Sequence, residues 1–205
     1  MNQRKQCQRA KYINKVLQPW SNLRIVEIWV GDGMFAKYLL SKYSNINYYA
    51  WFDISRLLSQ DNILDRYVVS ERIEDERNVL SEWKPIDYVI IAYSLHHFSD
   101  DKTIHSLINF LCHKRVWVLV IEELLTKQKW NKRITILNDI VSNIFQYGLK
   151  ISTIKEYFSL KFKTDAEWKV IFTKYYNVKD LMSNWRYWYV YTKWYFLETK
   201  KPLLE

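Results

Sequence analysis

One stretch, Arg24–Leu40 (RIVEIWVGDGMFAKYLL), constrains the fold more than any other. Ile25, Val26, Ile28 and Val30 form an apolar, β-branched run with one acidic residue, Glu27, a composition that suits a strand buried on both faces of a parallel sheet. Gly31-Asp32-Gly33 follow as a tight turn, and in Met34–Leu40 the apolar residues at positions 35, 36, 39 and 40 have the spacing of one helix face. Strand, glycine turn and helix together make a phosphate- or nucleotide-cradling arrangement. Glycines let the backbone approach a ligand, and a helix start presents free N–H groups.

The rest of the chain repeats this alternation. Residues 4–17 read as an amphipathic helix with Ile13, Val16 and Leu17 inward, closed by Pro19. Asn47–Phe52 is a second strand ending at Asp53, and Ser55–Gln60 starts another helix. Arg66–Ser70 is a third strand, followed by a charged segment through Glu71–Trp83. Ile86–Ala92 is a fourth strand leading into Tyr93-Ser94-Leu95-His96-His97-Phe98. Ile104, Leu107, Ile108 and Leu111 sit at helical spacing, and Arg115–Ile121 is a fifth strand ending in Glu122-Glu123. Five such units argue a doubly wound, mostly parallel sheet. Further on, Leu137, Ile140, Val141, Ile144 and Phe145 mark one face of a long helix, and Asp165–Tyr175 marks another with Thr164 as its N-cap. Two aromatic strands, about Asn177–Asn184 and Tyr189–Thr199, are expected as an antiparallel hairpin on the sheet edge.

Composition excludes several classes. A chain of 205 residues with 49% hydrophobic and 26% charged residues is that of a globular protein of ordinary domain size. Its longest apolar run, Val116–Ile121, is too short to span a bilayer, and a soluble, cytoplasmic protein is expected. Cys7 and Cys112 suggest neither a disulfide framework nor a metal site. Residues 1–102 carry 14 Lys and Arg against 13 Asp and Glu, and residues 103–205 carry 17 against 9, so +8 of the net +9 lies in the second half. Such a field can attract nucleic acid, an anionic surface or a charged substrate, though solvated lysines explain it as well.

In four ordered features the chain resembles the class I S-adenosylmethionine-dependent methyltransferases. They are Glu27-Ile28-Trp29-Val30-Gly31-Asp32-Gly33 against the family's acidic glycine turn, Phe52-Asp53-Ile54-Ser55 at the second strand's end, Ile86–Phe98 (IDYVIIAYSLHHF), and Phe162–Trp168 before a final strand pair. The resemblance covers the chain from residue 20 onward. It implies a Rossmann-like seven-stranded sheet with a C-terminal antiparallel hairpin, in one domain over residues 1–205: an N-terminal helix (1–19), a cofactor-binding half (20–125), and a basic helical segment with the hairpin (126–205).

The resemblance further implies S-adenosylmethionine as cofactor. Glu27 would orient the glycine turn, Gly31 and Gly33 would bring backbone beneath the cofactor, and Asp53, followed by Ile54, would take its ribose. Glu71 would meet the adenine, and Ala92 and Tyr93 would lie where the methionine part meets the acceptor. Trp29 stands where the family has its first glycine, so its indole must turn into the core or occupy cofactor space.

Methyl transfer chiefly requires alignment and exclusion of water, with a base needed only where the acceptor must lose a proton. His96 and His97 are the base candidates, against a reading in which one packs on the following helix and the other shapes the pocket. No Asp-Pro-Pro-Tyr segment and no Pro-Cys pair is present for methylating nucleobases. The aromatic residues Trp168, Trp185, Tyr187, Trp188, Tyr189, Tyr191, Trp194 and Tyr195 read as core and cross-strand pairs rather than base-stacking platforms. The expected acceptor is a small molecule, a glycan or a lipid-linked group, with oxygen preferred as the methylated atom. Three alternatives stay open: an RNA- or DNA-directed methyltransferase, a degenerate methyltransferase fold acting as a basic binding protein, and an NAD-dependent oxidoreductase. The last draws on Gly31-Asp32-Gly33-Met34-Phe35-Ala36, which also fits the dinucleotide fingerprint.

Overall fold

The computed structural model describes residues 23–28, 34–52, 69–70, 86–98, 100–125, 133–134, 136–137, 141, 162–185 and 191–200. The helices expected over 4–17 and from Ser55, and the charged segment 71–83, lie outside them. The chain forms two compact units, Met1–Ala92 and Tyr93–Glu205.

The first unit contains β1 (Leu23–Ile28), α1 (Met34–Lys42), β2 (Ile46–Phe52), β3 (Val69–Ser70) and β4 (Tyr88–Ala92). Its strands are parallel in the order β3-β2-β1-β4. Ile25, Val26 and Ile28 are fully buried, as are Val89 and Ile91 of β4. Adjacent residues on one strand point to opposite faces, so burial of both Ile25 and Val26 means that β1 is covered on both sides. At the start of the sheet the Arg24 N–H donates to Asp87 Oδ2 (2.8 Å) and the Asp87 N–H donates back to the Arg24 carbonyl (3.0 Å). This reciprocal pair fixes the register in which β4 lies beside β1. Ala36 and Leu39 of α1 are buried, two of the four positions that the helical spacing points inward.

The second unit contains a 3-10 turn (Leu95–His97), α2 (Asp101–His113), β5 (Trp117–Leu124), α3 (Asp165–Thr173), β6 (Tyr176–Trp185) and β7 (Tyr191–Thr199). The Thr103 N–H donates to the N-cap Asp100 Oδ1 at 2.7 Å, and Ile104, Leu107, Ile108 and Leu111 form the buried stripe of α2. The C-terminus of α2 is closed by a Schellman arrangement: the Arg115 N–H donates to the Cys112 carbonyl (2.9 Å) and the Val116 N–H to the Leu111 carbonyl (3.2 Å). That arrangement needs a left-handed residue, normally glycine, yet Arg115 takes it here with φ of 55°.

β5 runs further than its sequence indicates. It continues through Glu122 and Glu123 to Leu124, and both glutamates are buried. The reason is pairing: β7 is antiparallel to β5 over the whole span from Val118↔Leu197 to Leu124↔Tyr191, which carries the ladder past the two acids. β7 also pairs with β6, so it lies between the two rather than at an edge. Trp194, Tyr195, Phe196 and Leu197 are accordingly buried in succession, the core role expected of the aromatic strands.

α3 begins in a capping box. The Glu167 N–H donates to Thr164 Oγ1, and the Thr164 N–H donates to Glu167 Oε2. Trp168, Ile171 and Phe172 pack inward, with Trp168 and Phe172 stacked at 5.5 Å. Four charges tie this helix to β6 and β7. Lys193 Nζ lies 2.7 Å from Asp165 Oδ2 and 3.0 Å from Asp180 Oδ2, Lys169 Nζ lies 2.7 Å from Asp180 Oδ2, and the Tyr195 hydroxyl donates to Asp165 Oδ1 at 2.8 Å. The helical residues near 137 depart from expectation: Leu137 and Val141 are exposed while Ile136 is buried. The inward face there passes through Ile136, about 100° around the helix from Leu137.

Arg115→Gly tests the left-handed cap. A left-handed non-glycine residue costs about 1–2 kcal/mol, offset in part by the greater freedom glycine has in the unfolded chain. The variant is expected to gain up to about 1 kcal/mol in urea unfolding, whereas a loss would mean that the Arg115 side chain contributes more than its backbone conformation costs.

Candidate functional site

Within the first unit, strand order decides where a ligand can sit. The chain lays down β1, β2 and β3 outward on one side and then returns to place β4 on the other side of β1. This reversal between β1 and β4 is a topological switch point, beyond whose carboxyl ends open α/β sheets bind ligands. The register aligns those ends: Ile28 pairs with Phe52 and with Ile91, and Phe52 pairs with Ser70. In sequence, Trp29, Gly31 and Gly33 follow β1, Asp53 and Ile54 follow β2, and Glu71 follows β3. These six residues lie outside the described structure. Ala92, half-buried, ends β4.

Glu27 is described. Its side chain is 1% exposed and Oε2 accepts a hydrogen bond from the Tyr49 hydroxyl. Glu27 and Tyr49 share a sheet face, since Ile25 pairs with Tyr49 and Glu27 with Trp51. A buried carboxyl one residue from the end of the central strand is unusual in a run otherwise fully apolar, and a hydroxyl donor meets part of its need for partners.

In the second unit the segment Tyr93–Phe98 is built around one carboxyl, that of Glu122. Tyr93 is left-handed (φ 57°), and its N–H donates to the Ile121 carbonyl at 2.7 Å. The turn this creates aims the next two amides at Glu122: the Ser94 N–H (2.8 Å) and the Leu95 N–H (2.6 Å) both donate to Oε1. Glu122 Oε2 lies 2.7 Å from His96 Nδ1, and the imidazole stacks on Phe162 with centroids 4.3 Å apart. Glu122 and His96 are both fully enclosed. Ser94 Oγ is buried as well and has no hydrogen-bond partner among the described residues. Of the two base candidates, His96 thus faces Glu122 and Phe162 in the interior. His97 belongs to the 3-10 turn, and its side chain lies outside the described residues.

Burial sets the protonation of the pair. It pushes the Glu122 carboxyl up to about 8, against a smaller downward pull from the N–H groups of Leu95, Ser94 and Glu123. Burial likewise lowers the His96 imidazole to about 4, with the Glu123 charge opposing. Across the 2.7 Å contact burial thus disfavours the charged form of both partners. Among the described residues no group of three His, Cys, Asp or Glu could hold a metal ion, and no helix is long and apolar enough to cross a membrane.

Solved structures share this architecture. LepI in complex with SAM superposes with a TM-score of 0.58 at 13% identity over 93% of this chain and 46% of that one. The fold is that of the class I S-adenosylmethionine-dependent methyltransferases. The same methyltransferase fold is found in a SAM-dependent methyltransferase from Anabaena variabilis (TM-score 0.57, 13% identity, 93% of this chain and 84% of that one). It is found also in the plantazolicin methyltransferase BpumL, solved with a triazolic desmethylPZN analog and SAH (0.61, 12%, 93% and 81%). This chain spans less than half the length of the LepI chain it matches. No protein-family model matches it, and no curated protein does.

No motif in the sequence marks Glu122 or Tyr49, and Phe162 stands out only as the start of the Phe162–Trp168 stretch. The available signal for Glu122 was an acid directly after an apolar strand, which needs a set of donors wherever it is buried.

The stability contributed by each partner moves oppositely with pH. Glu122, raised from 4.5 to about 8, contributes most below pH 4.5, and that contribution is lost as pH rises through 8. His96, lowered from 6.5 to about 4, contributes most above pH 6.5, and its contribution is lost as pH falls through 4. The two slopes offset between 4.5 and 6.5. From 6.5 to 8 stability is expected to fall, by up to about 1.4 kcal/mol per pH unit, and urea titrations should show this slope flattened in Glu122→Gln. Ser94→Ala removes an unsatisfied buried hydroxyl and is expected to leave thermal stability unchanged or raise it by about 1 kcal/mol; a loss above that size would reveal a partner for the hydroxyl.

Proposed function

We propose that the chain is an S-adenosylmethionine-dependent methyltransferase whose acceptor is a small molecule, a glycan or a lipid-linked group, with oxygen preferred as the methylated atom. The observation that carries this reading is the switch point at β1 and β4, with a buried acid at Glu27 and with Gly31, Gly33 and Asp53 placed by sequence directly after aligned strand ends. The fold shared with proteins solved with SAM or SAH supports the cofactor.

The residues present fit such a group in two respects. Glycines at 31 and 33 carry no Cβ where backbone must approach a ligand, and Asp53 offers a carboxylate that can accept from two ribose hydroxyls. When bound, the cofactor supplies an already activated methyl on a sulfonium centre. Ala92 and Tyr93 would border the acceptor, and the left-handed Tyr93 turns the chain there away from the strand direction. His96, neutral and enclosed, would serve as a wall and a fixed hydrogen-bonding group. Of the two histidines, His97 would carry any base role.

A nucleic-acid acceptor has less support. Several lysines of the basic half are ion-paired: Lys163 with Asp101, Lys169 with Asp180, Lys179 with Glu198, and Lys193 with Asp165. Their charge is partly neutralised before any phosphate arrives. Two sequence features favour a degenerate, non-catalytic fold: Trp29, which occupies the position where the resemblance expects glycine, and the +8 charge of the second half.

Calorimetric titration with S-adenosylhomocysteine tests the proposal. Binding with a dissociation constant in the range of about 1 µM to 1 mM is expected, weakened at least about tenfold, or about 1.4 kcal/mol, in Asp53→Ala. No heat of binding at millimolar ligand would refute the methyltransferase reading and leave the binding-protein alternative, for which salt-dependent RNA retention is the corresponding assay.

A further inference from the structure

Glu122 ties together three consecutive residues of the second unit. Its two oxygens engage three groups on consecutive residues, the amides of Ser94 and Leu95 and the Nδ1 of His96. These residues follow Tyr93, whose left-handed backbone is disfavoured for an aromatic residue and persists only where surrounding bonds impose it. Lys193, which pairs with Glu122 in the β5–β7 register, turns its ammonium to Asp165 and Asp180 instead.

We propose that Glu122 is a positioning residue of the methyl-transfer site, one carboxyl fixing both the backbone path Tyr93–Leu95 and the orientation and tautomer of the His96 ring. The inference rests on the methyltransferase reading for its function, though not for its geometry. With Oε1 occupied by two amide donors, Oε2 is the arm left for the ring. A protonated Oε2 donates to Nδ1 and leaves the ring proton on Nε2, and the enclosure that keeps both groups neutral favours this arrangement. His96 is thereby held as a donor of fixed orientation rather than a base. Phe162 stacked on its face removes the remaining freedom of ring rotation.

Three variants separate this role from plain stability. Glu122→Gln keeps the shape, offers an oxygen to the two amides and an NH₂ to Nδ1, and so imitates the protonated carboxyl. Glu122→Asp is one methylene too short to reach both sets of partners, and Glu122→Ala removes them. The readouts are hydrogen exchange at the Ser94 and Leu95 amides, the ¹⁵N shifts of the His96 ring, and the affinity for S-adenosylhomocysteine.

In the wild type the ring is expected to carry its proton on Nε2, and Glu122→Gln should retain that signature and recover most of the affinity. Glu122→Asp and Glu122→Ala should raise amide exchange at residues 94 and 95 at least about tenfold and weaken S-adenosylhomocysteine binding by a similar factor. If Glu122→Ala does not fold, the comparison of Gln with Asp carries the test. The proposal is overturned if the Asp variant keeps wild-type exchange and wild-type ring shifts, or if the wild-type ring proton is found on Nδ1. Failure of every variant, wild type included, to bind S-adenosylhomocysteine would instead sink the methyltransferase reading, with exchange and ring shifts still judging Glu122.

Discussion

The second unit depends on one electrostatic constraint: a carboxyl buried to zero exposure must have its hydrogen bonds met inside the protein. Glu122 meets that need with two backbone amides and an imidazole, and in doing so it dictates how the chain leaves Tyr93. A hydrophobic residue at 122 would have packed in β5 equally well. It would have placed no demand on the path of residues 94–96, and the segment after β4 would then have only local propensity to shape it. The first unit shows a smaller version of the same logic, with Glu27 buried on the central strand and met by Tyr49 across the sheet face.

Burial at these positions also changes what the side chains can do. An exposed histidine near a reactive centre is an ordinary base candidate, but His96 is walled by Phe162 and faces an acid that burial keeps largely protonated. Both groups are pushed toward their neutral forms, so the pair stores little charge and acts as a rigid wall.

Much of this was legible in the chain. The apolar run at Ile25–Ile28, the β4 segment and the stripe Ile104, Leu107, Ile108 and Leu111 follow directly from periodicity, and Thr164 with Glu167 three residues on signals a helix start. What escaped was non-local. Glu122-Glu123 looked like the polar end of a strand, because the partners that let β5 continue through them come from residues 94–96 and from β7, far away in sequence. The left-handed conformations of Tyr93 and Arg115 were hidden for a related reason. Glycine is the usual sign of such positions, and with three glycines in the chain other residues must adopt them. The face of the helix near residue 137 was misjudged because a mixed run of Ile, Leu and Val offers two plausible apolar faces, and packing chose the one through Ile136.

The seat of β7 between β5 and β6 shapes how the second unit can assemble. β5 is synthesised long before β7, and it pairs antiparallel with it along Val118–Leu124. Until β7 arrives, that edge of β5, with Glu122 and Glu123 on it, offers an unpaired row of backbone groups to water or to another chain. The contacts that complete it have high sequence separation, which slows folding and prolongs the exposure. β6 and β7, by contrast, are neighbours in sequence and can pair with each other first. The strand that covers the open edge of β5 is therefore added as part of a preformed pair, and β5 serves as the template waiting for it.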